Sequence, residues 1–160
     1  MPVFLCGLSL YRAPPYTLPQ PTNQQMNSNH EPLWKQFAPI KTQPNARFDF
    51  NNGQEIYDVA LAVEQINTNP DAYQCLPVPL AHLVPQLEGV AASGGVNAEY
   101  AALLSWEDAT RPLLLGSYAT GEVRLLDGYH RLTKLLSEHG SNHVAAWILT
   151  PQQTAAIRLI

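Results

Sequence analysis

One segment, Val123–Leu136, constrains the fold of this 160-residue chain more than any other. Its apolar run Val123–Leu126 predicts a short strand, and Asp127-Gly128 predicts a turn. From Tyr129 onward the spacing of apolar residues changes to that of a helix. Three leucines then share one helix face: Leu132, Leu135 and Leu136. A junction between a strand and a helix is a common place for ligand sites in α/β folds.

His130 and Arg131 fall in the first turn of this predicted helix. First-turn N–H groups have no partner within the helix, and the helix dipole is positive there, so the position suits an anion, phosphate above all. Gly128 lets a ligand approach the backbone closely. Histidine and arginine stabilise a helix N-terminus poorly, which favours a functional role. Because the three leucines carry the packing, we expect the Arg131 guanidinium to be free to face a ligand.

The same residues also fit a simpler structure without a ligand. Asp127-Gly128 is then an ordinary turn in which Asp127 caps the helix, His130 is half-buried and Arg131 is solvated. Short motifs often occur by chance, so the spacing alone leaves both alternatives open.

The segment Leu126–Leu132 resembles the Asp-Gly-x-His-Arg signature of the ParB/sulfiredoxin-like superfamily. Upstream, Leu76–Pro85 is similar to that family's opening strand and turn, and Asn142–Leu149 is similar to the strand after its motif helix. The resemblance implies one compact α/β domain in which helices flank a small mixed sheet. It also implies that a nucleotide, ATP or CTP, binds with Mg²⁺ at five residues: Asp127, Gly128, Tyr129, His130 and Arg131.

The resemblance further implies roles in phosphoryl transfer or nucleotide hydrolysis. Asp127 would orient the loop or hold the metal, and His130 and Arg131 would neutralise the phosphates. In kinase-like members an acidic residue after the opening strand acts as a base. Glu88 is the first carboxylate after that strand here, and Glu99 is the alternative. The implied catalytic residues are Glu88, Asp127 and His130.

Tyr129 departs from one branch of this superfamily. Sulfiredoxins carry a catalytic cysteine at this position, so sulfinic acid reduction is disfavoured here. Two roles remain open for the tyrosine. It either stacks on a base or closes over the pocket, or it is an ordinary partly buried aromatic side chain.

The composition excludes several classes of protein. The chain carries nine Lys and Arg and a net charge of −4, with no basic cluster, so we expect DNA binding to be weak or absent. Cys6 and Cys75 lie far apart and have no metal-site spacing, which disfavours a disulfide framework or a structural zinc site. No apolar run reaches the length that spans a membrane, and we expect a cytoplasmic protein without membrane contact.

The first 44 residues differ in composition from the rest of the chain. They are rich in Pro, Gln and Asn and predict an extended or disordered arm, residues 1–44, before the domain, residues 45–160. We expect this arm to be dispensable for folding. Four of its apolar residues are candidates for docking, either on the domain or on a protein partner: Leu33, Trp34, Phe37 and Ile40.

Within the domain, apolar spacing predicts a helix over Ile56–Ile66 and glycines predict a loop over Leu87–Val96. Asn97 is expected to cap a helix over Ala98–Trp106 with three side chains directed inward: Tyr100, Leu103 and Leu104. The remaining expected elements are a strand and Asn-Gly turn at Phe48–Gly53, a hairpin at Leu113–Leu126, a strand at Val144–Leu149 and a helix that begins at Thr150-Pro151.

The leading function is therefore nucleotide-phosphate binding at Asp127–Arg131, used for phosphoryl transfer or nucleotide hydrolysis. A rival from another class is a catalytically inert module that binds a protein or DNA through the N-terminal arm. A nuclease of the same superfamily is a third candidate, against which the acidic balance counts.

Overall fold

The structure is a computed structural model, and it describes residues 31–50, 52–138 and 143–160. Within these residues the strands are β1 (Arg47–Phe50), β2 (Glu55–Asp58), β3 (Gln74–Pro79), β4 (Leu113–Ser117), β5 (Val123–Asp127) and β6 (His143–Leu149). The helices are α1 (Val59–Thr68), α2 (Val84–Ala92), α3 (Ala98–Leu103), α4 (Trp106–Ala109), α5 (Tyr129–Glu138) and α6 (Pro151–Ala156).

Four strands form a mixed sheet in the order β3-β6-β4-β5. The central pair, β4 and β6, is parallel, whereas β3 and β5 pair antiparallel to them at the two edges. Every residue of β4 is buried, as is every residue of β6 after His143. Strands buried on both faces need continuous apolar runs, and both strands have them. This mixed sheet flanked by helices confirms the predicted α/β class.

Side chains that alternate along the central strands build a separate core on each face of the sheet. On one face Leu113, Leu115 and Ile148 pack against α2 and α5. On the other face Leu114 and Trp147 pack against α1, the β1–β2 hairpin and the end of α6. The predicted strands, hairpin and terminal helix are therefore confirmed. In α6 the predicted Thr150 cap is part of a reciprocal capping box with Gln153.

The predicted helix over Ile56–Ile66 is right only from Val59 onward. Ile56 and Tyr57 instead pair with β1 in a hairpin, whose loop contains the expected Asn52-Gly53 turn. The Asp58 side chain accepts a hydrogen bond from the Leu61 amide at 2.9 Å and so caps α1. The apolar spacing of Ile56–Ile66 fits a strand at its start as well as a helix. Ile56 and Tyr57 form a strand because β1 supplies their hydrogen-bond partners, and the helix begins only after the Asp58 cap.

The predicted loop over Leu87–Val96 is wrong, because α2 occupies most of it. Leu87 is buried in the first core and holds the helix on the sheet. Gly89 lies on the exposed side of α2. One glycine there costs only about 1 kcal/mol relative to alanine, which is less than the gain from burying a leucine.

The predicted helix over Ala98–Trp106 is interrupted. Asn97 caps α3 as expected, with its side chain accepting from the Tyr100 amide, but Ser105 then caps a second helix, α4. The large side chains also differ from expectation. Tyr100 and Leu103 are exposed rather than directed inward, and Ala101 is the buried residue of α3.

Part of the N-terminal segment packs on the domain. A 3-10 turn at Leu33–Gln36 places the Trp34 ring 6.1 Å from that of Trp147, and Ile40 is fully buried in the second core. The Asn67 side chain donates to the Ile40 carbonyl oxygen at 2.8 Å. Of the two docking alternatives for these residues, the structure favours the domain. Residues 1–30 of the predicted arm, with Cys6, lie outside the described residues.

No helix among the described residues is long and apolar enough to cross a membrane.

We expect Ile40→Ala to lower the free energy of unfolding by about 2–5 kcal/mol, because it leaves a cavity between α1 and Trp147. Gln43→Ala, which changes an exposed side chain of the same segment, is the control and should cost less than about 0.5 kcal/mol. Urea unfolding of the full chain measures both. Equal stability of the Ile40→Ala variant and the parent would show that burial of Ile40 does not stabilise the domain.

Candidate functional site

Gly128 forms the junction between β5 and α5, and no other residue fits there. Its φ angle is +111°, a backbone region that favours glycine. A Cβ at this position would collide with the Leu113 side chain and lie 2.9 Å from Nη2 of Arg131. Backbone conformation and close packing therefore both require the glycine that the motif supplies.

Arg131 is not exposed, and the expectation that its guanidinium is free to face a ligand is wrong. The residue is 7% exposed, and its Nη2 lies 3.3 Å from Oδ2 of Asp127. Side chains on a helix lean toward the helix N-terminus. A long side chain in the first turn therefore reaches back over the junction, where the absent Cβ of Gly128 leaves room for it. The solvated Arg131 of the simpler alternative is equally wrong.

Burial sets the electrostatics of this ion pair. Desolvation raises the pKa of Asp127 above its usual range, while Arg131, the Gly128 amide and His130 act in the opposite direction with smaller effect. Desolvation likewise lowers the pKa of Arg131, although an arginine keeps its charge in a protein. The guanidinium thus provides the largest of several compensations for a carboxylate that is only partly solvated.

The first turn of α5 has backbone amides without helical partners, as the sequence predicts. The Leu132 N–H donates to the Gly128 carbonyl oxygen at 2.8 Å, which is the first bond of the helical ladder. The amides of Tyr129, His130 and Arg131 precede that bond and have no acceptor one turn back. They bring the positive end of the helix dipole to the junction.

His130 connects the motif to α3. Its Nε2 accepts a hydrogen bond from the Asn97 amide at 3.1 Å, and its ring meets the Tyr100 ring edge-on at 5.0 Å. An Nε2 that accepts must carry a lone pair, so the neutral ring holds its proton on Nδ1. The half-buried imidazole therefore has one nitrogen engaged with the protein and one available as a donor.

Tyr129 packs as an ordinary aromatic residue. Its hydroxyl donates to the Leu125 carbonyl oxygen, and its ring stacks on Phe48 at 6.4 Å with 7° between the planes. Burial raises the pKa of this hydroxyl, because the charged form would lose its solvation. These contacts fix the ring between α5 and the β1–β2 hairpin, and they favour the second of its two predicted roles.

Gln86 supports the junction, and it was not among the residues predicted from the sequence. Its Nε2 donates to the Val123 carbonyl oxygen at 3.0 Å, and its Oε1 accepts from the Leu125 amide at 2.7 Å. The side-chain amide thereby replaces the strand partner that β5 lacks at the sheet edge. Only the order of the strands reveals this need, because no local pattern marks a glutamine as the partner of a strand.

The two candidate bases are placed differently. Glu88 is exposed on α2, two residues after Gln86 and hence about 200° around the helix from the side that contacts β5. Glu99 is exposed in the first turn of α3, between the Asn97 and Tyr100 positions that contact His130. The structure thus brings the segment of Glu99, rather than the side of α2 that carries Glu88, to the motif.

The donor set does not fit a metal ion held by the protein. Asp127 is the one carboxylate among the five motif residues, and Arg131 already pairs with it. In the described ranges, no group of three His, Cys, Asp or Glu side chains lies close enough to hold a metal. Asp127 is better suited to orienting the loop, the other role implied by the resemblance.

The five motif residues are buried or half-buried. A groove of about 540 Å³ lies at Trp34, Ile40 and Trp147, and a second of about 390 Å³ lies along α1. Neither groove includes any of residues 127–131.

Comparisons with known protein families, with curated proteins and with solved structures find no match to this chain. Its resemblance to the ParB/sulfiredoxin-like superfamily therefore stays a prediction from the motif and its flanks.

We expect Gly128→Ala to destabilise the fold more than Gly121→Ala. Both glycines have a positive φ, +111° and +84°, so the backbone strain of roughly 1–2 kcal/mol is shared. Only at Gly128 would the new Cβ also collide with neighbours, which adds about 1–3 kcal/mol, whereas nothing lies within 4 Å at Gly121. Thermal or urea unfolding measures the difference, and equal losses would show that the junction is loosely packed.

We expect Arg131→Ala to lower the free energy of unfolding by roughly 1–3 kcal/mol near pH 7, because Asp127 loses its partner. Without the cation the pKa of Asp127 rises further in the native state. The native state then keeps the Asp127 proton above pH 4, where the unfolded chain has already released it. The free energy of unfolding therefore falls as pH rises from about 4 through the raised native pKa of Asp127. The loss should therefore be smaller near pH 4 than near pH 7.

Urea unfolding at both pH values tests this dependence. Arg47→Ala removes an exposed arginine of β1 and is the matched control. The double variant Asp127→Asn with Arg131→Ala removes both charges and should be more stable than Arg131→Ala alone at neutral pH. A loss that does not change with pH would argue against the pairing.

Proposed function

We propose that this chain binds the phosphate groups of a nucleotide, ATP or CTP, at the junction between β5 and α5. The observation that carries the proposal is the set of three first-turn amides at Tyr129, His130 and Arg131. They stand at the positive end of a helix beside a half-buried imidazole. Amides and a dipole in this arrangement favour an anion whatever the rest of the ligand is.

The roles of the charged residues follow from their contacts. Arg131 does not reach the phosphate, because it lies buried against Asp127. It acts on binding by neutralising that carboxylate, which would otherwise repel an anion a few ångströms away. His130 offers its Nδ1–H as a donor, because its Nε2 accepts from the Asn97 amide. Backbone amides and His130 thus contact the ligand, and Arg131 sets the local charge.

A phosphotransferase or hydrolase would also need a base within hydrogen-bond reach of the attacking hydroxyl or water. We place Glu99 ahead of Glu88 for this role, since the helix of Glu99 contacts His130. Asp127 is a poorer base, because Arg131 occupies one of its oxygens. The proposed phosphate binding does not depend on a transfer step, whereas a transfer step would require the phosphate site.

Calorimetric titration of the full chain with pyrophosphate, ATP, CTP and the two parent nucleosides, each with and without Mg²⁺, tests the proposal. Ligands with phosphates should bind and nucleosides should not, since the amides recognise the anion. At a ligand concentration of about a hundred times Kd, the free energy of unfolding should rise by about 2.7 kcal/mol.

His130→Ala should weaken binding by roughly tenfold to a hundredfold, the loss of one hydrogen bond to a charged group. His82→Ala changes an exposed histidine after β3 and is the matched control. His130→Gln retains an acceptor for the Asn97 amide, so it separates loss of the ligand contact from loosening of α3. A parent protein that binds neither pyrophosphate nor nucleotide at millimolar concentration would refute the proposal.

A further inference from the structure

The groove of about 540 Å³ at Trp34 and Trp147, which we call the Trp34 groove, is lined mainly by aromatic, aliphatic and proline residues. Trp34 and Phe37 are half-buried in this lining, and Pro70 and the buried Pro112 also belong to it. A concave surface of this volume with aromatic lining is typical of a binding site.

Contacts between distant parts of the chain hold the Trp34 groove in shape. Arg111 donates a hydrogen bond from Nη1 to the Pro39 carbonyl oxygen. The Asn67 side chain donates to the carbonyl oxygen of Ile40, which is itself buried in the second core. The lining is thus formed before anything binds, so binding requires little ordering of the domain.

The chain carries a segment suited to this groove, residues 12–21, which precedes the described residues. It contains four prolines: Pro14, Pro15, Pro19 and Pro21. Proline-rich segments favour the polyproline II helix, which loses little entropy on binding and docks in grooves lined by aromatic rings. The carbonyl groups of such a helix have no internal partners, and a tryptophan ring N–H is a donor for them.

The connection between this segment and the Trp34 groove is short. Glu31, the first described residue, belongs to the groove lining. Residues 22–30 join it to Pro21 and can span up to about 30 Å, enough for the chain to turn back. A short tether gives an effective concentration in the millimolar range, which a second copy or a separate peptide must match in order to compete.

We propose that residues 12–21 dock in the Trp34 groove of the same molecule, with proline rings packed against Trp34 and Phe37. The driving force is the burial of apolar surface that otherwise faces water. Residues 127–131 are not part of this groove, so the contact is independent of the proposed phosphate site. A proline-rich ligand from outside would have to displace the chain's own segment.

Limited cleavage of the full chain by chymotrypsin measures the contact. This protease cleaves after aromatic residues, at Tyr16 inside the segment and at Phe4 outside it, so Phe4 is an internal control. A synthetic peptide of residues 1–30 has no groove and gives the intrinsic ratio of the two rates. We expect the ratio of Tyr16 to Phe4 cleavage to be at least about fivefold lower in the full chain, because cleavage requires the undocked state.

Trp34→Ala should return this ratio to within about twofold of the peptide's ratio. Because Trp34 also packs against Trp147, Phe37→Ser is a second variant with the same expected result. Gln36→Ala changes an exposed residue of the same 3-10 turn that does not line the groove, and it should protect Tyr16 like the parent. Circular dichroism checks that each variant is folded.

Acrylamide quenching tests the contact from the side of the groove. In a Trp106→Phe background the fluorescence accessible to the quencher comes mainly from Trp34, because Trp147 is buried. Changing the four prolines of the segment to serine should raise the quenching constant about twofold. The control variant Gln24→Ser with Gln25→Ser, which changes the connecting residues instead, should be quenched like the parent.

The proposal predicts protection of Tyr16 that depends on the groove and occurs within one molecule. Equal ratios of Tyr16 to Phe4 cleavage in the full chain and the peptide would refute it. Protection that survives both Trp34→Ala and Phe37→Ser would place the contact outside the groove. Protection that disappears on dilution of the protein would identify a second copy as the source of the docked segment.

Discussion

The ion pair between the buried Arg131 and the half-buried Asp127 is the interaction on which the junction depends. Removing two charges from water is costly, and their attraction offsets the cost only when the geometry is close. Gly128 makes that geometry possible, because a Cβ there would occupy the space of the guanidinium. A glycine, an acid and an arginine within five residues therefore fix where β5 ends and α5 begins.

Strand β5 is the point at which three layers of the molecule meet. At its edge, Gln86 of α2 pairs with its backbone. Arg124 binds Glu122 at 2.8 Å and Glu55 of the hairpin at 3.3 Å, and its guanidinium lies 3.6 Å from the centre of the Phe50 ring. Contacts on both sides of the strand hold it in place. The amides at the start of α5 are consequently presented by a rigid support rather than by a loop.

Sequence patterns predicted correctly those elements whose structure is decided by neighbouring residues. The strand, turn and helix at Val123–Leu136 follow from apolar spacing and from Asp127-Gly128, and the sheet with two buried faces follows from the apolar runs in β4 and β6. The errors arose where distant contacts decide. The glycines of this segment predicted a loop where the structure has α2. Burial of Leu87 and the hydrogen bonds of Gln86 to β5 hold this helix in place. Two possible periods over Ile56–Asp58 were resolved by pairing with β1.

The candidate site shows the same limit. The helical periodicity places Arg131 on one face of α5, but it does not predict where so long a side chain ends. The side chain leans toward the helix N-terminus, and this direction buries the guanidinium at the junction. The contact between His130 and Asn97 joins residues 33 positions apart, so no motif of five residues contains it. A phosphate that accepted a hydrogen bond from Nδ1 of His130 would contact the same ring whose Nε2 accepts from the Asn97 amide. One imidazole therefore joins the start of α5 to the residue that caps α3, and a change in its position at either end would be felt at the other.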